Sequence, residues 1–249
     1  MKIKKLIASL ALAVATVATV AVLAGCQSQT VKLNPTKDTY ATNGLVAVVK
    51  GTVSKGAKVT YQIGDGTIQK GTNNDGTFVI QVPGQLKKTT VTVKAKKAGQ
   101  TTTKKVSVRK TKAIATYPEF AMKYNMINQQ MKIVADPLPM TQKNGLVDFY
   151  NHDGIRIRAN VQSQQVVGIA YVFPVKYMKD KTKMKDFAMR LTVLSTAVGA
   201  DGKQVLKDYQ KLAKDAQNGQ TTVDNIHNKG ITFETSFSDK GLYMYLVKK

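Results

Sequence analysis

Cys26 is the single cysteine in a chain of 249 residues. A thiol can form a disulfide, bind a metal, act as a nucleophile or carry a lipid, and one cysteine excludes an intramolecular disulfide. The residue directly follows an apolar run from residue 6 to residue 24, which only Ser9, Thr16 and Thr19 interrupt. The nature of that run therefore decides which chemistry is expected at Cys26.

The first 24 residues have the layout of a secretory signal. Lys2, Lys4 and Lys5 form a positive n-region, and the apolar run that follows forms the h-region. The run is also long enough to span a bilayer as a retained helix. The residues at its border, Leu23-Ala24-Gly25-Cys26, favour the signal.

These four border residues resemble the lipobox of bacterial lipoproteins, in which a hydrophobic residue and two small residues precede an invariant cysteine. Leu23, Ala24, Gly25 and Cys26 match all four positions. The resemblance implies that the Cys26 sulfur receives a diacylglyceryl group and that a dedicated peptidase cleaves just before it. Two acyl chains hold a protein stably at a bilayer, whereas one holds it only marginally. We therefore expect an exported protein anchored to the outer face of a Gram-positive cell membrane, with no cofactor besides this lipid.

Little other chemistry is indicated. His152 and His227 stand in turn-like contexts, beside Asp153 and near Asp224, without the H-x-x-x-H spacing or cysteine partners of a zinc site. The sequence contains no G-x-S-x-G elbow, Walker loop or dinucleotide fingerprint. We expect no metal site and no enzyme, and a wall hydrolase is the least favoured interpretation.

The charge is strongly positive and unevenly distributed. The formal net charge is +23, of which residues 30–116 carry +13 and residues 117–249 carry +7. Ten basic residues and no acidic one lie between Lys87 and Lys112. Such a field attracts polyanions. For an anchored protein the available polyanions are lipid headgroups and phosphate-bearing wall polymers. The alternative is that the basic surface is simply solvated and binds no partner. Nucleic acid is not expected, because the protein is exported and no RNP, KH or helix-turn-helix pattern occurs.

Two groups of basic residues are candidates for binding anions. Arg156 and Arg158 lie on the polar face of a predicted strand, and five more lysines (176, 179, 181, 183 and 185) follow them in the sequence. The second group is the run Lys94, Lys96, Lys97, Lys104 and Lys105.

Residues 26–44 are predicted to be a polar tether, and residues 45–112 an all-β unit. Short segments rich in Val and Thr alternate with Gly, Asn, Asp and Pro. Val91, Val93 and Ala95 alternate with polar residues, as in a strand that buries one face.

This segment resembles the immunoglobulin-like repeats of bacterial surface proteins. Its matching motifs are Gly51-Thr52-Val53, Gly56-Ala57, Asp75-Gly76-Thr77-Phe78 and Thr90-Val91-Thr92-Val93. The resemblance implies a β-sandwich that serves as a spacer or adhesion module.

Residues 113–249 mix helical and strand patterns and predict an α+β unit, with an antiparallel sheet and helices on one face. Pro118 fits the start of a first helix, and Asp201 is a candidate N-cap for a later one. Tyr243 and Tyr245 are predicted on the strand face opposite Leu242, Met244 and Leu246. The pattern resembles that of uncharacterised C-terminal modules of Gram-positive lipoproteins.

The sequence as a whole predicts a non-catalytic surface lipoprotein, in which a basic immunoglobulin-like spacer presents an α+β binding module. Its expected partners are the membrane, anionic wall polymers or another envelope protein. The alternative is a prophage-type superinfection-exclusion lipoprotein that blocks incoming phage DNA at the membrane, a role that small basic lipoproteins serve.

Overall fold

A computed structural model describes residues 30–133, 135–217 and 225–249. The predicted signal, including Leu23, Ala24, Gly25 and Cys26, lies outside the described residues. Within the described residues the chain is mostly β, with three sheets and three α-helices. No helix in these ranges is long and apolar enough to cross a membrane.

The N-terminal part contains nine strands in two sheets. They are β1 (Leu33–Pro35), β2 (Thr39–Tyr40), β3 (Val46–Val53), β4 (Lys58–Ile63), β5 (Gln69–Lys70), β6 (Thr72–Asn74), β7 (Thr77–Pro83), β8 (Thr89–Lys97) and β9 (Gln100–Val108). The first sheet has the order β1-β3-β7-β6, and the second has the order β2-β9-β8-β4-β5. All pairs are antiparallel except β2 with β9.

Both sheets contribute to one hydrophobic core. Alternate residues of β3, β7 and β8 are buried in it, among them Val49, Ile80 and Val93. The period of two predicted for Val91, Val93 and Ala95 is therefore confirmed, because all three are fully buried. This alternation also fixes which residues of the second sheet face solvent.

The folded part starts earlier than the sequence predicts. Residues 31–40, predicted as part of a tether, form β1 and β2, and Val31, Leu33 and Tyr40 are buried in the core. The three apolar side chains are spaced too widely for a periodic signal, but the backbone of β1 pairs with β3 and that of β2 with β9. This corrects the predicted start of the first unit from residue 45 to residue 31.

The C-terminal part combines one seven-stranded antiparallel sheet with the three helices. Its elements are β10 (Ala115–Thr116), α1 (Tyr117–Gln130), β11 (Gly145–His152), β12 (Ile155–Gln162), β13 (Gln165–Pro174), α2 (Lys181–Ala197), α3 (Gly202–Gln217), β14 (Ile226–Asn228), β15 (Ile231–Phe237) and β16 (Gly241–Val247). The sheet order is β11-β12-β13-β16-β15-β14, and β10 pairs with β13.

The helices begin where the sequence offers capping groups. Pro118 lies in the first turn of α1, as predicted. The Asp180 carboxylate accepts hydrogen bonds from the backbone N–H groups of Thr182 and Lys183 at the start of α2. Asp201 accepts one from the N–H of Gln204 at 3.0 Å, so the predicted cap of α3 is confirmed.

Alternate residues of the sheet pack with the helices in a second core. Ile157 of β12 and Met244 of β16 are fully buried with Phe120 of α1, Leu191 of α2 and Val205 of α3. Leu242, Met244 and Leu246 all belong to this core, while the half-buried Tyr243 and Tyr245 alternate with them on β16. The predicted division of β16 into two faces is therefore confirmed.

The two parts touch through the sheet face that carries Tyr245. The ring of Tyr245 lies against Gly44, where an added Cβ would stand 2.7 Å from the ring. A Cβ at Gly168 would lie 3.1 Å from the side chain of Leu45, which is itself buried. Asn160 donates a hydrogen bond to the backbone carbonyl of Gly84. Residues before β3 and after β7 therefore form the contact with the second sheet.

Candidate functional site

Five exposed lysines share the outward face of the five-stranded sheet. The buried side chains of Val59, Val91, Val93 and Ala95 define the inward face, so their neighbours in β4 and β8 point outward. Directly paired residues of adjacent strands lie on the same face, which extends the assignment to β5 and β9. We call the resulting set the lysine face: Lys58, Lys70, Lys94, Lys96 and Lys105.

The predicted lysine run is divided between two sides of its strands. Lys94, Lys96 and Lys105 belong to the lysine face. Lys104 pairs with Val93, so it extends from the opposite side of β9, and it is exposed. Lys97 ends β8 and donates a hydrogen bond to the carbonyl oxygen of Lys55 at 2.8 Å. Only part of the run therefore contributes to one surface.

Sequence reasoning missed Lys58 and Lys70, which stand outside the basic run. Lys58 pairs directly with Lys96, and Lys70 pairs with Thr60, the partner of Lys94. These two lysines could have been predicted from the period of two in β4 combined with the pairing of β4 with β8. That pairing is a tertiary contact, which the spacing of residues along the chain does not determine.

The lysine face concentrates positive charge without internal compensation. Lys58 and Lys96 occupy directly opposed positions, where like charges repel. None of its five ammonium groups forms an ion pair or hydrogen bond with a residue that the structure describes. Between the lysines stand Thr and Gln side chains, among them Thr60, Gln62 and Thr92. Apart from the exposed Ile68, which lies beside Thr60 and Lys94, the surface is polar and cationic, and a bound polyanion would relieve its repulsion.

Arg156 and Arg158 already bind an anion that belongs to the protein. Both guanidinium groups make paired hydrogen bonds to the Asp148 carboxylate, with distances of 2.7 to 3.0 Å. A bulge at Phe149 in β11 leaves Asp148 opposite Arg158, while Phe149 itself is buried. The predicted anion site is therefore occupied by Asp148, and the three groups together carry a net charge of only +1.

The lysines that follow these arginines in the sequence make separate contacts. The Lys183 ammonium lies 3.3 Å from the Asp153 carboxylate. Those of Lys176 and Lys183 lie 4.7 and 5.0 Å from the centre of the Tyr177 ring. No contact among the described residues joins Lys176, Lys179, Lys181, Lys183 or Lys185 to the arginine pair. The predicted grouping of these lysines with the arginines does not appear in the contacts of the structure.

A polar cavity of about 510 Å³ adjoins Asp148. Arg190 of α2 borders it, with its guanidinium 3.9 Å from the centre of the Tyr150 ring and its Nε 2.8 Å from the Asp186 carboxylate. Burial raises the pKa of the nearby Tyr171 hydroxyl well above its ordinary value, and the negative charge of Asp186 adds to this effect. Asp148 and Arg190 are thus each paired with a group of opposite charge, whereas Asp136, which also lines the cavity, forms no ion pair with a described residue.

The two histidines lie apart. His152 ends β11 with its Nδ1 3.2 Å from the Asp153 carboxylate, and it is exposed. His227 lies in β14, where its Nδ1 is 3.2 Å from the Thr232 hydroxyl, so the predicted turn context is wrong for His227. Among the described residues, no group of three His, Cys, Asp or Glu side chains could hold a metal ion.

No protein-family model and no curated protein matches this sequence.

Proposed function

We propose that this protein is a non-catalytic lipoprotein of the outer face of the cell membrane, whose N-terminal unit binds anionic envelope polymers. In this proposal residues 1–25 are a signal peptide and Cys26 carries the lipid anchor. Residues 31–112 form an immunoglobulin-like sandwich, and residues 113–249 form an α+β module with helices on one face. The supports for this division are the two separate hydrophobic cores and the lipobox resemblance.

The observation that carries the binding proposal is the lysine face. A ligand that fits it must be negatively charged at repeated positions, because the lysines are spread over four adjacent strands about 4.8 Å apart. Phosphate groups along a wall polymer have that character. The contact would depend on charge more than on shape, since the face has no deep pocket among its described residues.

The binding proposal is tested by removing the five charges of the lysine face. The variant carries Lys→Gln at positions 58, 70, 94, 96 and 105, and its matched control carries Lys→Gln at the exposed positions 143, 179, 203, 207 and 211. Both lose five charges, so a difference between them depends on position. The probes are polyphosphate and a purified phosphate-bearing wall polymer.

We expect the face variant to bind at least tenfold more weakly at low salt, because each lysine near an anionic surface contributes about 1 kcal/mol. The wild-type affinity should fall steeply as salt shortens the screening length. Equal losses of affinity in both variants would mean that binding depends on net charge and not on the lysine face. Binding that salt does not weaken would contradict the proposal.

The anchor is tested by intact mass analysis of the protein extracted from membranes. We expect cleavage before Cys26 and an added diacylglyceryl mass, and we expect Cys26→Ala to abolish both. An unmodified thiol on a cleaved chain, or an uncleaved leader, would overturn the proposed location. This result is independent of polymer binding, which can be measured on the purified residues 27–249.

A further inference from the structure

An apolar groove opens between α2 and α3, over the ends of β13, β15 and β16. Its volume is about 600 Å³, within the range of small-molecule sites. Most of its lining is apolar, and the largest side chains are Phe173, Met184, Phe187, Tyr209, Phe237 and Leu242. Because the packed core beneath it contains Phe173, Phe187 and Leu242, the floor of the groove is rigid and apolar.

Apolar side chains are exposed to solvent at the rim of this groove. Phe237 is 53% exposed and Met184 is 38% exposed. Contiguous exposed apolar surface of this kind marks binding sites more often than isolated exposed residues do. Methionine side chains are flexible and adapt to the shape of an apolar ligand. The groove therefore has both a fixed floor and an adaptable edge.

One polar group at the groove restricts the chemistry of the ligand. The Tyr209 hydroxyl does not, because its oxygen is closed to solvent and lies near the Thr235 hydroxyl. Lys185 is exposed and also lines the groove. The described lining includes no carboxylate. A ligand that suits this groove has an apolar body and one negatively charged end.

We propose that the groove binds the acyl chain of a long-chain fatty acid, with its carboxylate held by the Lys185 ammonium. The chain lies along Phe187, Met184 and Phe237, where it covers the exposed apolar surface. The carboxylate supplies the negative charge that Lys185 attracts. This inference concerns the C-terminal part alone, so it holds whether or not the lysine face binds a polymer.

The test is calorimetric titration of the mature chain with saturated fatty acids from 8 to 16 carbons, below their micellar concentrations. Each buried CH₂ contributes about 0.8 kcal/mol, so affinity should rise about fifteenfold for every two carbons until the groove is full. An alkylamine of equal length should bind at least tenfold more weakly than the acid, because its charge is repelled by Lys185.

Three variants locate the binding. Lys185→Glu should weaken the binding of laurate about tenfold, and Ala188→Trp, which fills the groove from α2, should abolish it. The matched control is Lys203→Glu, an exposed lysine of α3 outside the groove, which should leave the affinity unchanged. Thermal unfolding of each variant shows whether it is folded, so that Lys185→Glu remains informative if Ala188→Trp is unstable.

The proposal is overturned if no fatty acid binds, if the amine binds as well as the acid, or if Lys203→Glu weakens binding as much as Lys185→Glu. Self-association that Phe237→Ser abolishes, without any fatty acid binding, would instead make the groove an interface between two copies of the chain.

Discussion

The side-chain amide nitrogen of Asn160 lies 2.8 Å from the backbone carbonyl oxygen of Gly84, to which it donates a hydrogen bond. Asn160 is fully buried although its neighbours Arg158 and Gln162, on the same face of β12, are partly exposed. The Gln162 side chain in turn donates to the amide oxygen of Asn160 at 3.1 Å. This short chain of bonds connects the loop after β7 to the sheet of the C-terminal part.

Replacement of Asn160 by Ala should lower the free energy of unfolding by about 1–3 kcal/mol. The reason is that the buried carbonyl of Gly84 would lose its donor, and an unsatisfied buried acceptor costs about that much. Urea denaturation followed by circular dichroism measures the change. Asn74→Ala is the matched control, because Asn74 is exposed and its side chain makes no hydrogen bond to the described residues. A loss below 0.5 kcal/mol, roughly that of an ordinary surface substitution, would show that the bond contributes little.

The period-two pattern of "GIRIRANVQ" predicts which residues of β12 face the core, and the structure agrees. The pattern places Asn160 on the polar face but does not reveal that another part of the chain covers that position. Local periodicity predicts which face of the strand is buried in its own core. It does not predict that Gly84, 76 residues earlier in the chain, covers Asn160 on the other face. The same limitation hid Lys58 and Lys70, whose position beside the basic run follows from strand pairing.

Removal of β1 and β2 should destabilise the N-terminal part. A chain that begins at residue 45 lacks Val31, Leu33 and Tyr40, which fill one end of the core. Burying an aliphatic side chain stabilises a fold by about 1.5–3 kcal/mol, so the loss should exceed 3 kcal/mol. The comparison is between residues 45–249 and residues 27–249 in urea denaturation. Equal stability of the two chains would mean that residues 31–40 are dispensable, as expected of a tether.

Gly51 provides a second, milder test of the same packing. An added Cβ at this position would overlap the backbone carbonyl oxygen of Asn34 in β1 and would also press on the ring of Phe78 in β7. Gly51→Ala should therefore force β1 away from β3 and destabilise the chain of residues 27–249 by about 1–3 kcal/mol, as overpacking does. In the chain that begins at residue 45, where Asn34 is missing, the same substitution should cost less. Equal costs in the two chains would contradict the described pairing.

Asp148→Ala should turn the arginine pair into an anion site. Without this carboxylate, Arg156 and Arg158 lie two residues apart on one strand face, with two positive charges about 7 Å from each other. We expect a loss of about 1 kcal/mol at low salt, since the ion pairs are about one-third exposed. Sulfate should restore most of that stability, whereas sodium chloride at equal ionic strength should restore less.

The wild-type protein is the control for the sulfate effect. Sulfate stabilises folded proteins generally, because it is excluded from their surface. Since the wild-type arginines are already paired with Asp148, the rise in melting temperature that is specific to sulfate should be smaller in the wild type than in Asp148→Ala. An equal sulfate-specific rise in both proteins would contradict an anion site that is created by removing Asp148.

Tyr209 makes the stability of the C-terminal part sensitive to alkaline pH. Burial raises the pKa of its hydroxyl to about 12, from an ordinary value of 10, and the nearby Thr235 hydroxyl opposes the effect of burial. Between these two values the unfolded chain loses a proton that the folded chain keeps. The contribution of the protonated Tyr209 hydroxyl to the free energy of unfolding is thus complete below pH 10. It is lost as the pH rises toward 12, and the total loss is about 3 kcal/mol.

Comparison of the wild type with Tyr209→Phe isolates this effect, since the other buried tyrosines titrate alike in both proteins. The free energy of unfolding should fall more steeply between pH 9.5 and pH 11 in the wild type, because phenylalanine has no proton to lose. Urea denaturation at four pH values in this interval measures the two slopes. Parallel slopes would show that the Tyr209 hydroxyl titrates equally in the folded and unfolded chains, and would contradict its burial beside the groove.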